Sequence, residues 1–250
     1  MKFLLLSLCL GVGLHLAHAA DADALIKSAI AAEAAFDTQK ALELFQAADA
    51  ARPNDPFILQ KISKQYSDST IEDTAPEEKK RLMELALDYA QRSHELEPTN
   101  AVHTLSIAIC YGKLGLYSDV RTKIKYVRLT KEFADRALQQ DPNYDWAFHV
   151  LGRWQCEVAK LGGTKRFMIG LLFGGLPDAS TEEGIRLLQC SVELAPNNPS
   201  HQIELGFAYL ADHQPAAARQ AFAAGLALPN SEKYDEVSKE RAREALKNIQ

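Results

Sequence analysis

The chain is poor in the features that many function classes require. Cysteine is scarce, four in 250 residues. None of Cys110, Cys156 and Cys190 stands in a C-x-x-C pair, which excludes a Cys-based zinc ribbon and a small disulfide scaffold. A pair of them could bridge in an oxidising compartment, but all three lie in apolar helical patterns and read first as buried free thiols. Basic residues are in deficit, 28 Lys and Arg against 33 Asp and Glu. An acidic chain without a dominant basic patch excludes nucleic acid as its main partner. The longest apolar run, Phe3 to Leu16, falls short of the roughly 18–20 residues of a membrane span, so no transmembrane anchor is expected. Strand-like alternation is almost absent. There is no H-E-x-x-H, and His94, His103, His149, His201 and His213 have no Cys or acidic partner at ligand spacing. "LGGTKR" lacks the order of a phosphate loop, and "GLYSD" is not a nucleophile elbow. The expectation is a protein that is no enzyme and carries neither metal nor cofactor.

What is present begins with a leader. Lys2, the apolar Phe3–Leu16 and the small-x-small Ala17-His18-Ala19 form the pattern of a secretory signal peptide, cleaved after Ala19. Cys9 follows Leu8 rather than a small residue, which argues against a lipid anchor. Residues 1–19 are thus expected to be removed and 20–250 secreted across the inner membrane, into the periplasm if the cell is Gram-negative.

Five apolar helical segments each end in a proline: Pro53, Pro98, Pro142, Pro196 and Pro229. Proline stops a helix and pushes the residue before it out of the α region, so each marks a turn. The last interval is 33 residues, against about 34 in a tetratricopeptide repeat. In this last unit Leu205, Gly206 and Tyr209 precede Ala218, Phe222 and Gly225. The set resembles the L-G-x-x-Y and A-x3-F pattern of that repeat, in which small residues let two helices cross closely. Ala41, Phe45 and Ala48 repeat the second half, and Leu151 and Gly152 the first, with Gly184, Leu188 and Ser191 completing the fourth unit after an insertion. Each unit has an apolar face that only a neighbour can cover. The reading is an all-α, tetratricopeptide-like solenoid of about five hairpins (22–53, 54–98, 99–142, 143–196 and 197–229), with a helix inserted in the fourth. A capping helix over 231–249 starts at Ser231 and turns Val237, Ala242 and Leu246 inward.

A closer resemblance rests on the segment from Tyr144 to Leu210. "HVLGRW" (His149–Trp154), Arg166 ahead of Leu172-Phe173-Gly174 and Pro177, and Ser180-Thr181-Glu182-Glu183-Gly184 are together similar to the regulator of microtubule dynamics family. The resemblance implies tetratricopeptide-like helices and, for eukaryotic members, microtubule association or membrane-contact tethering with a lipid-accommodating groove. Here a signal peptide replaces their front end. A secreted protein meets no tubulin, so the microtubule role is not carried over.

Two features stand apart from the repeat. Phe167 to Leu176 is an apolar decapeptide behind Lys165 and Arg166, with glycines between Gly162 and Gly175. It reads as a short helix of about two turns with a glycine stop, serving as a buried plug on the concave side, a mobile wall of an apolar cavity, or a membrane contact. "VRTKIKYVRLTK" holds five basic residues and no acid. Arg121, Lys125 and Arg128 share one helical face, either solvated or an anion patch, toward which Arg153 and Arg166 would point if units stack. Trp146, His149 and Trp154 share another face, as core or groove, with His149 either a satisfied core histidine or placed to orient Arg153. The expected groove set is Tyr111, Trp146, His149, Arg153, Trp154 and Arg166, closed by Phe167, Leu171 and Phe173. The expected function is a scaffold for a protein or peptide partner, with an apolar ligand or phospholipid held in the groove behind the 161–179 insertion as the alternative.

Overall fold

The computed structural model describes residues 21–72 and 75–249. The expected signal peptide, 1–19, lies outside the described residues. Those described form an all-α solenoid, without a strand. The helices are α1 (21–34), α2 (Thr38–Ala51), α3 (Pro56–Ser69), α4 (Pro76–Leu96), α5 (Ala101–Leu114) and α6 (Val120–Gln140). They continue as α7 (Asp145–Ala159), α8 (Gly162–Phe173), α9 (Thr181–Leu194), α10 (Pro199–Ala211), α11 (Pro215–Ala227) and α12 (Asp235–Asn248).

Their ends follow from local chemistry. Arg52, Glu97, Asp141 and Ala195 each precede a proline, and all four take an extended φ near −135° with ψ of 78, 74, 99 and 72°. The proline ring forbids the helical ψ there, so these helices stop at the same relative place. The next helix is then started by a side-chain cap. Asp55 accepts from the backbone N–H of Phe57 and Ile58, Asn100 from Val102 and His103, and Asn198 from His201. Pro56 and Pro199 occupy first-turn positions where a missing N–H costs nothing.

Hairpins form by close crossing. A Cβ at Gly206 would come within 2.6 Å of the Phe222 ring, and one at Gly225 within 2.6 Å of Ile203 Cγ1 and 3.0 Å of the Pro199 carbonyl. Phe222 fills the space beside Gly206 and is fully buried, a contribution of about 2–3 kcal/mol. Gly152 of α7 and Gly184 of α9 meet in the same way, although α8 separates them in sequence. Hairpins α3/α4, α5/α6, α7/α9 and α10/α11 stack through alanine-rich cores around Phe45, Met83, Leu151 and Leu188.

The curvature has a direction. The first helices touch their counterparts in the next hairpin, α3 to α5, α5 to α7 and α7 to α10, and α12 continues the row against α10. They form the inner, concave side, and the second helices spread outside.

Two local expectations are corrected. Ser231 does not cap the last helix, which starts at Asp235. Instead the Asp235 carboxylate accepts from the backbone N–H of Ser231 and Glu232 and from the Ser231 hydroxyl, holding 231–234 as a tight turn. Ala242 is buried and Leu246 packs inward, but Val237 faces solvent, because at 100° per residue it lies about 140° from Ala242 and about 180° from Leu246.

Candidate functional site

The concave face is polar and cationic. On α3, Lys64 pairs with Glu33 of α1 at 3.1 Å and with Asp68 at 2.8 Å, and Lys61 reaches Glu33 at 2.7 Å. On α5, the Lys113 ammonium donates to the Ser67 hydroxyl at 2.6 Å and to its carbonyl at 3.1 Å. On α7, Arg153 faces Glu204 of α10 at 3.8 Å, and Glu204 also receives Arg241 of α12 at 3.5 Å.

Into this face runs the chain's own segment between α11 and α12. Glu232 pairs with Lys64 at 2.9 Å, and the Lys233 ammonium donates to the Phe36 carbonyl at 3.2 Å. Tyr234 lies beside Arg153 and helps to favour its charge. Three consecutive side chains thereby touch α3, the α1–α2 turn and α7, so the solenoid curves far enough for its last loop to reach its first hairpin. Burial opposes the charge on Lys64, but Asp68, Glu232 and Glu33 overcome it and raise its pKa well above the ordinary lysine range. Lys113 has no carboxylate so close, and burial lowers its pKa. Glu204 raises that of Arg153.

A second arrangement stitches α7 to α10. His149 Nδ1 and His201 Nδ1 are 3.0 Å apart, and His201 Nε2 lies 2.8 Å from the Asp145 carboxylate. Trp146 packs on both imidazoles, with ring centroids at 5.0 and 4.7 Å. Both histidines are buried. Burial, then the proximity of His201, Arg153 and Arg241, keeps the His149 pKa far below its ordinary value, so this ring stays neutral. A neutral His149 with its proton on Nδ1 donates to His201, while His201 donates from Nε2 to Asp145. The chain is closed and reaches no nucleophile. It holds two hairpins together.

The third arrangement is outside. Arg121, Lys125 and Arg128 of α6 line a cleft of about 610 Å³ with Leu172 and Phe173 of α8. Arg128 donates to the Gly175 carbonyl at 2.8 Å and also to that of Phe173. Arg166 donates to Asp178 at 3.1 Å and to the Pro177 carbonyl at 3.2 Å. The C-terminal end of the inserted helix is therefore held to α6, the second helix of the preceding hairpin, and no residue of the inserted helix is buried.

The expected groove set is consequently dispersed. Tyr111 stacks with Tyr126 and Phe133 between α5 and α6, and Trp154 donates its indole N–H to the Val127 carbonyl at 2.7 Å. Trp146 and His149 belong to the histidine seam, and His149 orients His201 rather than Arg153. Only Arg153 reaches the concave face among Tyr111, Trp146, His149, Arg153, Trp154 and Arg166. Phe167, Leu171 and Phe173 do not close that face, because α8 sits on the other side of the wall. Arg121, Lys125 and Arg128 do come together, but without Arg153 or Arg166, which turn to Glu204 and Asp178.

A family model for regulator of microtubule dynamics proteins 1–3 matches residues 22–250. The chain belongs to this family. Regulator of microtubule dynamics protein 1 of Mus musculus is 31% identical over 138 residues, 55% of this chain and 45% of that protein. The Bos taurus protein of the same name is 29% identical over 161 residues, 64% of this chain and 51% of the relative. The chain thus spans about half the length of these curated relatives. Among solved structures, a thermophilic tetratricopeptide-repeat protein of Thermus thermophilus superposes with a TM-score of 0.66 at 16% identity, covering 90% of this chain and 98% of that one. That likeness concerns the fold. Within this regulator of microtubule dynamics fold, sequence reasoning missed Lys64, Lys113, Glu232 and Tyr234. The i, i+4 pair of Lys64 and Asp68 was legible, but nothing local tied it to a loop beyond residue 228.

Proposed function

We propose that the protein is an exported, non-catalytic scaffold whose concave face holds a turned peptide segment bearing acidic and tyrosine side chains. One observation supports this above the rest: the face already takes such a segment, the chain's own Glu232-Lys233-Tyr234, through Lys64, the Phe36 carbonyl and Arg153. An incoming peptide would exchange with that loop and use the same cations. An apolar ligand in this groove gains no support, since Lys64, Lys113 and Arg153 line it and the inserted helix is elsewhere.

The test uses the loop's own sequence. A labelled synthetic peptide LPNSEKYDEV, residues 228–237, is titrated into a Glu232→Ala/Tyr234→Ala variant by fluorescence anisotropy. Binding is expected there and is weaker to the wild type, whose groove is occupied. A peptide with Gln in place of the first Glu should bind less tightly. No binding to the loosened variant would refute the reading. Export is tested separately by the intact mass of protein recovered from the secreting cell, which should begin at Ala20.

A further inference from the structure

The inserted helix has no place in the peptide groove, yet it carries more exposed large apolar side chains than any other described element. Phe167 is 69% exposed, Leu171 70%, Leu172 61% and Met168 45%. At 100° per residue these four positions span an arc of about 140° on one side of α8. Arg166 and Phe173, whose side chain and carbonyl hold the helix to Asp178 and Arg128, lie on the opposite side. The helix is thus fastened by its back and turned outward by its apolar face. It is far too short to cross a bilayer, and no described helix is long and apolar enough to do so.

Charge lies beside that arc. Leu172 borders the cleft lined by Arg121, Lys125 and Arg128, and no acidic side chain lines it. Lys165 falls next to Leu172 on the helical wheel, and Arg121, Lys125 and Lys165 are all solvent-exposed. Leu116 and Val120, just ahead of Arg121, are exposed by 68% and 65%. Cations flanking an apolar arc occur here on a chain whose formal net charge is −5, so the positive patch is local.

The ends of α8 are left-handed glycines: Gly162 at φ 67°, Gly174 and Gly175 at φ 80°. Glycine takes this conformation without strain, and Gly174 and Gly175 stop the helix with N–H bonds to the Gly170 and Ile169 carbonyls. The exposed arc is convex and protrudes, which suits a flat, deformable surface better than a preformed pocket.

We infer that α8 and the start of α6 dock on an anionic lipid bilayer, with Phe167, Met168, Leu171 and Leu172 entering the headgroup boundary and Arg121, Lys125 and Lys165 meeting lipid phosphates. An interfacial helix seats its apolar face about 5–10 Å deep, and nearby cations add to its hold. Neither the few apolar side chains nor the cations alone bind stably, so the two must act together. The surface is separate from the concave groove, and its test does not depend on peptide binding.

Hydrogen–deuterium exchange on the full chain resolves the segment directly, apart from signals of the N-terminal residues. Exchange across 162–173 should slow on phosphatidylglycerol/phosphatidylcholine vesicles and stay unchanged on phosphatidylcholine alone. Phe167→Asp/Leu171→Asp should abolish the protection while leaving the circular dichroism spectrum and Tm as in the wild type, because both side chains are exposed. Arg121→Gln/Lys125→Gln should raise the lipid concentration for half-protection about 25-fold, near fivefold per cation. Unchanged exchange on anionic vesicles, equal protection on both vesicle types, or protection seen only with a soluble protein partner would each overturn the inference.

Discussion

A methyl group added at Gly152 tests the crossing on which the fourth hairpin depends. The new Cβ would lie 2.7 Å from Leu188 Cγ, 2.9 Å from the Gly184 carbonyl oxygen and 3.1 Å from the Leu188 backbone nitrogen. Two of these atoms belong to the backbone of α9 and one is the branch point of a fully buried leucine, so none can swing aside. Relief requires α7 and α9 to separate, which loosens the packing of Leu188 and Cys156. Overpacking of this kind costs about 1–3 kcal/mol. Against it stands the gain of about 1 kcal/mol from replacing glycine by alanine inside a helix. A clash with two backbone atoms of α9 falls toward the upper part of that range, so Gly152→Ala should lose about 1–2 kcal/mol net. For a chain of this length that is a fall in Tm of roughly 2–8 °C. Gly170→Ala is the matched control, since its Cβ would meet nothing within 4 Å. It should be neutral or stabilising. Thermal melts of both variants under identical conditions read the difference, and a Gly152→Ala melting temperature at or above that of Gly170→Ala would refute the crossing argument.

Acid should weaken the fold through the histidine seam. His149 has a depressed folded-state pKa, so the unfolded chain takes up the proton first; stability is full above about pH 6.5 and is lost as pH falls below it, by up to about 1.4 kcal/mol per pH unit for this group. His94 and His103 are shifted the same way by burial. Urea denaturation at pH 7 and pH 5 should show a smaller loss in His149→Gln, which keeps a donor toward His201, and an equal loss would exclude His149 as a source. The ring closure should appear as coupling between Lys64→Met and Glu232→Gln, each single change destabilising and the pair less so than their sum, by about 1 kcal/mol in a double-mutant cycle; additivity would mean the loop does not dock. Burial raises the Cys110 thiol pKa to about 12 and that of Cys156 to about 11, so alkylation of native protein at pH 8 followed by peptide mapping should mark Cys190 first, and early labelling of Cys110 would contradict the packing around Ser63.

Much of the fold was legible because its signals are local. A proline acts on the residue before it, an Asp or Asn cap on the two or three N–H groups after it, and a small residue at the helix crossing on the face it shares. Gly206 and Tyr209 followed by Ala218, Phe222 and Gly225 could therefore be read as a hairpin without coordinates. The aromatic residues were less legible. Trp146, His149 and Trp154 recur at helical spacing, yet Trp154 turns to α6 and the other two to α10. Periodicity gives a face, while the neighbour that covers it depends on how hairpins stack. The inserted segment shows the same limit, since an apolar helix of this length suits a plug or an outer surface equally well in sequence.

The order of helices, their ends and the glycines at their crossings were determined by the sequence alone, since each depends on dihedral angles and side-chain volumes within one hairpin. The tertiary structure decided where residues from distant hairpins meet. The His149–His201 bond, the arrival of Glu232 at Lys64 and the outward turn of Phe167 and Leu171 all depend on small rotations between stacked units, which accumulate along the solenoid. No single hairpin encodes that sum. It emerges only when every interface has packed.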